Sequence, residues 1–206
     1  MIAILDYGSG NLRSALRAFE TTGRKVFLTS DPDSAAKADA LVVPGVGAFG
    51  ACMNGLKAVN GDEVIRSRAI KGKPTFGICV GMQILFERGL EHGSFDGVGV
   101  LQGSVEKMSA PVLPHMGWNT IRIVGKSELF NGIESESFYF VHSYAVKEIK
   151  EIKEIKENDA KCRAITDYHG EFISAIEEGS ITATQFHPEK SGAAGLKLIK
   201  NWVESL

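Results

Sequence analysis

Apolar positions in the first half of the chain come in short β-branched runs, separated by stretches whose hydrophobic residues recur every three or four positions. Met1 to Tyr7, Lys25 to Leu28, Ala40 to Pro44 and Pro74 to Ile78 read as strands. Asn11 to Thr22, Asp62 to Lys71 and the segment from Cys79 to about Arg88 read as helices. Strand, helix, strand at this spacing predicts right-handed crossovers and a parallel, doubly wound α/β sheet, with ligands beyond the carboxyl ends of its strands. From about Val98 the pattern changes to closely spaced strands: Val98 to Leu101, Asn119 to Val124, Phe138 to Val141, Cys162 to Thr166, Phe172 to Ile176 and Ile181 to Phe186. These predict an antiparallel addition to the sheet, closed by a helix from Ala193 to Val203. Lys147 to Glu157 is a three-residue repeat with isoleucine at every third position, a period that suits neither strand nor helix. It is expected to be a solvated surface excursion without chemistry.

With 206 residues, 44% of them hydrophobic, the chain can fill one sizeable core and is short for two, so a single domain over residues 1–206 is expected. A formal net charge of -2 gives no electrostatic footprint for nucleic acid, and no apolar run approaches the roughly 20 residues that span a membrane. Met1 leads straight into an apolar strand with no basic n-region or cleavage site, which makes the cytoplasm the expected compartment. Cys52, Cys79 and Cys162 are odd in number and lack CxxC spacing, against both a disulfide framework and a structural zinc site. No metal or cofactor is expected.

Gly77-Ile78-Cys79-Val80-Gly81 stands where a strand-like run gives way to the helix-like Met82 to Phe86. A strand-to-helix turn tight enough to expose one side chain needs residues without a β-carbon two positions to either side, and Gly77 and Gly81 supply them. Partial positive charge at the start of the following helix would favour a nucleophilic thiolate. The competing reading is a small buried hydrophobe at a strand end. A thiolate needs a base, and the base an orienting group. His92 and His169 lie beside glycines in turn-like surroundings and are expected at the surface. His187 ends an apolar strand and is followed by Pro188-Glu189, so an imidazole and a carboxylate leave one strand end together. Glu189 can then bond one ring nitrogen and leave the other facing the sulfur.

Joined to Gln185-Phe186-His187-Pro188-Glu189-Lys190-Ser191, the cysteine elbow resembles the class I, triad-type glutamine amidotransferases. The likeness runs end to end, through Asp6-Tyr7-Gly8-Ser9-Gly10-Asn11-Leu12, Pro44-Gly45-Val46-Gly47-Ala48-Phe49, Pro114-His115-Met116-Gly117-Trp118-Asn119 and Phe140-Val141-His142-Ser143-Tyr144. Within that family the chain is similar to the glutaminase subunits that serve histidine biosynthesis. The resemblance implies a flavodoxin-like sheet and cofactor-free hydrolysis of glutamine to glutamate and ammonia. It also implies a heterodimer in which ammonia passes through a protected channel to a (β/α)8-barrel cyclase subunit.

Residue by residue, the resemblance makes Cys79 the nucleophile that forms a glutamyl thioester, His187 the base and then the acid, and Glu189 the group that orients it. Val80 is expected to give one oxyanion N–H by elbow geometry. The other is expected from the Pro44 to Gly47 turn, whose glycines let a peptide plane turn so that Val46 or Gly47 presents its N–H only in the active state. Gly45, Gln83 and the wall His142-Ser143-Tyr144 are implied substrate contacts, the wall acting mainly through backbone, with His142 not a base. Tyr7, Asn11 and Lys190 are implied at the partner interface; Met116 and Trp118, beside a glycine in an apparently exposed loop, read as an interface anchor, with a core tryptophan as the competing reading. Low activity is implied until the cyclase binds its own substrate. The charged repeat is the main departure from the family, and it leaves open a related barrel partner that aminates a sugar for surface polysaccharide. Two other classes also stay open: a flavodoxin-like cysteine peptidase or chaperone, and a catalytically silent binding module.

Overall fold

The computed structural model describes residues 1–147 and 161–206; apart from Lys147, the charged repeat lies outside the described residues. In the first half the elements are β1 (Ile2–Leu5), α1 (Leu12–Glu20), β2 (Val26–Thr29), α2 (Pro32–Lys37), β3 (Ala40–Gly45), α3 (Phe49–Ala58), α4 (Gly61–Ile70), β4 (Thr75–Cys79) and α5 (Val80–Gln83). The strands of the second half are β5 (Phe86–Gly89), β6 (Phe95–Asp96), β7 (Leu101–Lys107), β8 (His115–Thr120), β9 (Arg122–Val124), β10 (Ser137–His142), β11 (Tyr144–Ala145), β12 (Lys161–Asp167), β13 (Glu171–Glu178) and β14 (Ile181–Thr184). Helix α6 (Gly192–Glu204) follows.

The main sheet runs β2-β1-β3-β4-β14-β13-β12-β9, parallel from β2 to β14 and antiparallel from β14 to β9. Strands β1, β3, β4 and β14 are buried along their whole length, as expected of strands covered on both faces. Phe76 of β4 packs against Phe19 of α1 and Trp202 of α6, with ring centroids 6.0 and 5.1 Å away. A second aromatic cluster, Phe130, Phe138, Phe140 and Phe186, ties β10 to the chain beyond β14. At the amino ends of the strands, the buried guanidinium of Arg68 donates to the carbonyls of Ala35, Ala38, Asp39 and Pro74, at 2.7 to 3.2 Å. One side chain thus satisfies the last turn of α2 and the entry to β4, where carbonyls would otherwise be orphaned.

The parallel half matches the predicted strands closely, and the antiparallel strands β13, β12 and β9 extend the sheet as expected. Several local expectations are corrected. The helix after Cys79 is a single turn rather than a run to Arg88, because Ile84, Leu85 and Phe86 are buried on every side and Phe86–Gly89 pairs with β7. Val98 and Val100 give their N–H groups to the Ile84 and Leu85 carbonyls, so the strand begins at Leu101 instead of Val98. Asn119 to Val124 divides between two sheets: β8 pairs with β10, whereas β9 joins β12. Helices α2 and α3, and strands β5, β6 and β11, were not predicted.

Candidate active site

The parallel strands β3, β4 and β14 converge their carboxyl ends on one cavity of about 300 Å³. Gly45 of β3 and Cys79 of β4 are register partners, so the glycine turn and the sulfur start from the same rung of the ladder. Cys79 sits at φ 56°, ψ -115°, a strained conformation for a residue with a side chain. The turn closes because Gly77 and Gly81 touch. A β-carbon on Gly77 would stand 2.7 Å from the Gly81 carbonyl oxygen, and one on Gly81 would run into the carbonyl oxygen of Val43. The glycine spacing therefore meets the steric need read from the sequence. Helix α5 is too short to bring much dipole to the sulfur, and the cationic neighbour is instead a histidine.

That histidine follows β14, which pairs Thr184 with Ile78 of β4. His187 is held by its backbone, its N–H on the Tyr139 carbonyl and its own carbonyl accepting from the Ser191 hydroxyl. Pro188 to Lys190 makes one 3-10 turn, which swings Glu189 back so that its Oε1 lies 2.8 Å from His187 Nδ1, with both side chains buried. The carboxylate accepts, so Nδ1 carries the proton. Nε2, buried without a hydrogen-bond partner among the described residues, is left for the sulfur. Burial opposes a charged His187, but Cys79 and Glu189 outweigh it and raise the imidazole to about 9.

The Pro44 to Gly47 turn is tied down. Tyr7 donates its hydroxyl to the Pro44 carbonyl at 2.6 Å. Ser9 Oγ accepts from the Val46 N–H at 3.1 Å and donates to the Val46 carbonyl at 2.7 Å, with Cys52 Sγ at 3.1 Å from the same hydroxyl. The Val46 N–H is thus engaged by Ser9. Val46, Gly47, Cys79, Val80, Gln83 and His187 line the cavity together with the 142–144 wall, Lys190 and Glu91. A separate cavity of about 350 Å³, bordered by Lys126, Glu177 and Trp202, contains none of these residues.

Of the residues implied at a partner face, Asn11, Met116, Trp118 and Lys190 are exposed. Tyr7 is a correction: it is only 4% exposed, because its phenol is the buried donor that fixes the glycine turn. His142 is also more than a backbone wall. Its Nδ1–H donates to the Tyr144 carbonyl and its Nε2 accepts from His115 Nδ1, each at 3.0 Å. Burial, assisted by repulsion from His115 and His187, pushes His142 down to about 3, so it is no base. Gln83 lines the cavity, and its amide nitrogen is bonded to the Tyr144 carbonyl and to Gln185 Oε1, at 2.9 and 3.0 Å.

Sequence reasoning missed Ser9, Cys52, Glu91, His115 and Gln185 as parts of the site. For Gln185 a signal existed: an amide inside an otherwise apolar strand end must find a buried partner.

Residues 3–206 match the family described as glutamine amidotransferase class-I. The chain is 53% identical to the imidazole glycerol phosphate synthase subunit HisH of Corynebacterium diphtheriae, covering 100% of this chain and 99% of that one. It is 53% identical to the subunit of the same description from Nocardia farcinica, covering 100% and 98%. Among solved structures, a glutamine amidotransferase crystal structure superposes with a TM-score of 0.72 at 17% identity, covering 98% of each chain. PurLQS from Thermotoga maritima gives 0.72 at 20% identity, covering 99% of this chain and 97% of that one. At those identities the two structures support the fold alone.

Proposed function

The chain belongs to the class I glutamine amidotransferases, and we propose that Cys79, His187 and Glu189 are the triad with which it hydrolyses glutamine to glutamate and ammonia. It acts as the ammonia-donating glutaminase subunit of imidazole glycerol phosphate synthase in histidine biosynthesis. The observation that carries the triad is the buried His187, with Nδ1 fixed on Glu189 and Nε2 left for the sulfur.

In the first half-reaction the Cys79 sulfur, its proton taken by His187, adds to the side-chain amide carbon of glutamine. The tetrahedral oxyanion is met by the Val80 N–H and, once Val46 is released from Ser9, by a second N–H from the glycine turn. His187 returns its proton to the amide nitrogen, the C–N bond breaks, and ammonia leaves behind a glutamyl thioester. In the second half-reaction His187 takes a proton from water as the oxygen adds to the thioester carbon. Collapse breaks the C–S bond and releases glutamate. Glu91 and Lys190, of opposite charge on the cavity lining, suit the α-ammonium and α-carboxylate of the substrate.

The engaged Val46 N–H supports a low activity of the chain alone, because an oxyanion hole with one donor stabilises attack poorly. The exposed Asn11, Met116, Trp118 and Lys190 offer a face for a (β/α)8-barrel cyclase, and the cytoplasm suits a biosynthetic pair of this kind.

The test is glutamate release from glutamine by the purified chain, alone and with the cyclase subunit plus its nucleotide substrate, with Cys79→Ala as control. Strong stimulation that vanishes in the control is expected. A folded chain silent under both conditions would count against the reading, and one stimulated only by a different barrel protein would reassign the acceptor.

A further inference from the structure

Among the described residues, one polar side chain outside the triad reaches the sulfur. Gln185, 1% exposed between β14 and His187, places its Nε2 3.8 Å from Cys79 Sγ, within reach of an atom as large as sulfur.

Donor counting fixes which end of this amide faces Cys79. The Tyr144 carbonyl can only accept, so the Gln83 amide presents nitrogen to it, and the second proton of that nitrogen goes to Gln185 Oε1. With its oxygen committed to Gln83, Gln185 has only N–H to offer the sulfur.

The Tyr144 carbonyl is fixed from the other side as well. It accepts from His142 Nδ1, and His142 Nε2 accepts from His115 Nδ1. His115 Nε2 lies 3.3 Å from Asn119 Nδ2, and the Asn119 amide is itself pinned between the Asp167 carbonyl and the Thr120 N–H. Turning over the Gln83, Gln185 or Asn119 amide would set two like groups against each other, and turning over either imidazole would replace a hydrogen-bonding nitrogen by carbon.

We propose that Gln185 is a further catalytic residue, its amide N–H donating to the Cys79 sulfur to hold the attacking thiolate and to receive it again when the thioester collapses, with Gln83 as the positioning residue that aims it. The proposal rests on Cys79 being the nucleophile.

The test uses the full chain and follows alkylation of Cys79 by iodoacetamide across pH, read by mass spectrometry of the Cys79 peptide, beside glutamine kinetics. Gln185→Met keeps the volume and removes the donor. Alkylation at pH 7 is expected to slow about tenfold, as for loss of a hydrogen bond to a charged group, and the profile to move to higher pH. The kcat for glutamine should fall with it while KM stays within about twofold.

Gln185→Glu, nearly isosteric, keeps the acceptor for Gln83 and sets an oxygen against the sulfur. It should slow alkylation further, and it carries the test should Gln185→Met not fold. His187, Glu189 and Glu91 are unchanged in both variants, so the displacement reads the amide. A folded variant of either kind that alkylates at the wild-type rate and pH overturns the proposal and leaves Gln185 as filling. Alkylation does not depend on glutamine. A wild-type chain that is alkylated normally yet hydrolyses no glutamine even with the cyclase and its nucleotide substrate therefore sinks the functional reading, while alkylation of the two variants still reads the hydrogen bond from Gln185 to the sulfur.

Discussion

His115 and His142 make the fold sensitive to acid because both rings are buried in the neutral form. Burial pushes His115 to about 4 and His142 to about 3, against an unfolded value near 6.5. Below pH 6.5 the unfolded chain takes up protons at these rings and the folded chain does not. Stability present above 6.5 is therefore lost as pH falls toward 4, at about 1.4 kcal/mol per pH unit for each site. His187 works in the opposite sense: raised to about 9, it contributes stability that is complete below 6.5 and lost as pH rises through 9. Thermal unfolding across pH 4 to 10 should be most resistant at intermediate pH and fall on both sides. Imidazole resonances of His115 and His142 should not titrate above about pH 5 in the folded chain, and titration near 6.5 would contradict the buried pair. His187 was legible in the sequence because its partner sits two residues on, in His-Pro-Glu. His115 was not, since its partner lies 27 residues away on a strand with which no local pattern connects it.

Among the elements, the elbow and the glycine turn carry opposite demands. The elbow must not move, and Gly81→Ala tests that directly. A β-carbon there meets the Val43 carbonyl of the neighbouring strand, so a loss of roughly 4 kcal/mol is expected, seen as a melting temperature lower by about 10 °C or as insoluble protein. A variant that melts within about 2 °C of wild type would show that β4 and β3 can part. The glycine turn, by contrast, must move if Val46 is to turn its N–H from Ser9 toward an oxyanion, as the proposed mechanism requires. Ser9→Ala removes the hydroxyl that holds both polar groups of Val46, a loss of about 1 kcal/mol. Glutamate release without the cyclase should rise roughly fivefold, and the stimulation by the cyclase should shrink by the same factor. Unchanged basal release would remove Ser9 from the gate. The elbow could be read from the sequence because its glycines answer a steric need two residues away. The hold on Val46 could not, since Ser9 reaches it across 37 residues of chain. The end of α5 after one turn is illegible for a related reason: a segment buried all round has no exposed face to set its period.

For the molecule as a whole, Cys79 and His187 leave the last parallel pair of strands, β4 and β14, next to the seam at which β13 turns antiparallel. The exposed Met116 and Trp118 stand on β8, whose partner β10 ends at His142 of the cavity lining, and the Trp118 ring meets the edge of Tyr139. Trp118 is 58% exposed, so Trp118→Ala should leave the fold intact while weakening association with the cyclase. The expected loss is at least about 2 kcal/mol, close to thirtyfold in Kd by calorimetry, as for an interface anchor. Equal affinity in the variant would move the docking face elsewhere.

The shared rung of Gly45 and Cys79 has a consequence for inhibitors. Sulfur and turn are anchored at one level, so the turn can swing at Val46 while the nucleophile stays where it is. A reagent that caps the sulfur in a single displacement needs no oxyanion donor and should mark idle and partnered subunits alike. An aldehyde analogue of glutamine, which binds as a tetrahedral adduct, gains its grip only where both N–H groups are turned inward. In a mixture it should sort the working complexes from the resting ones.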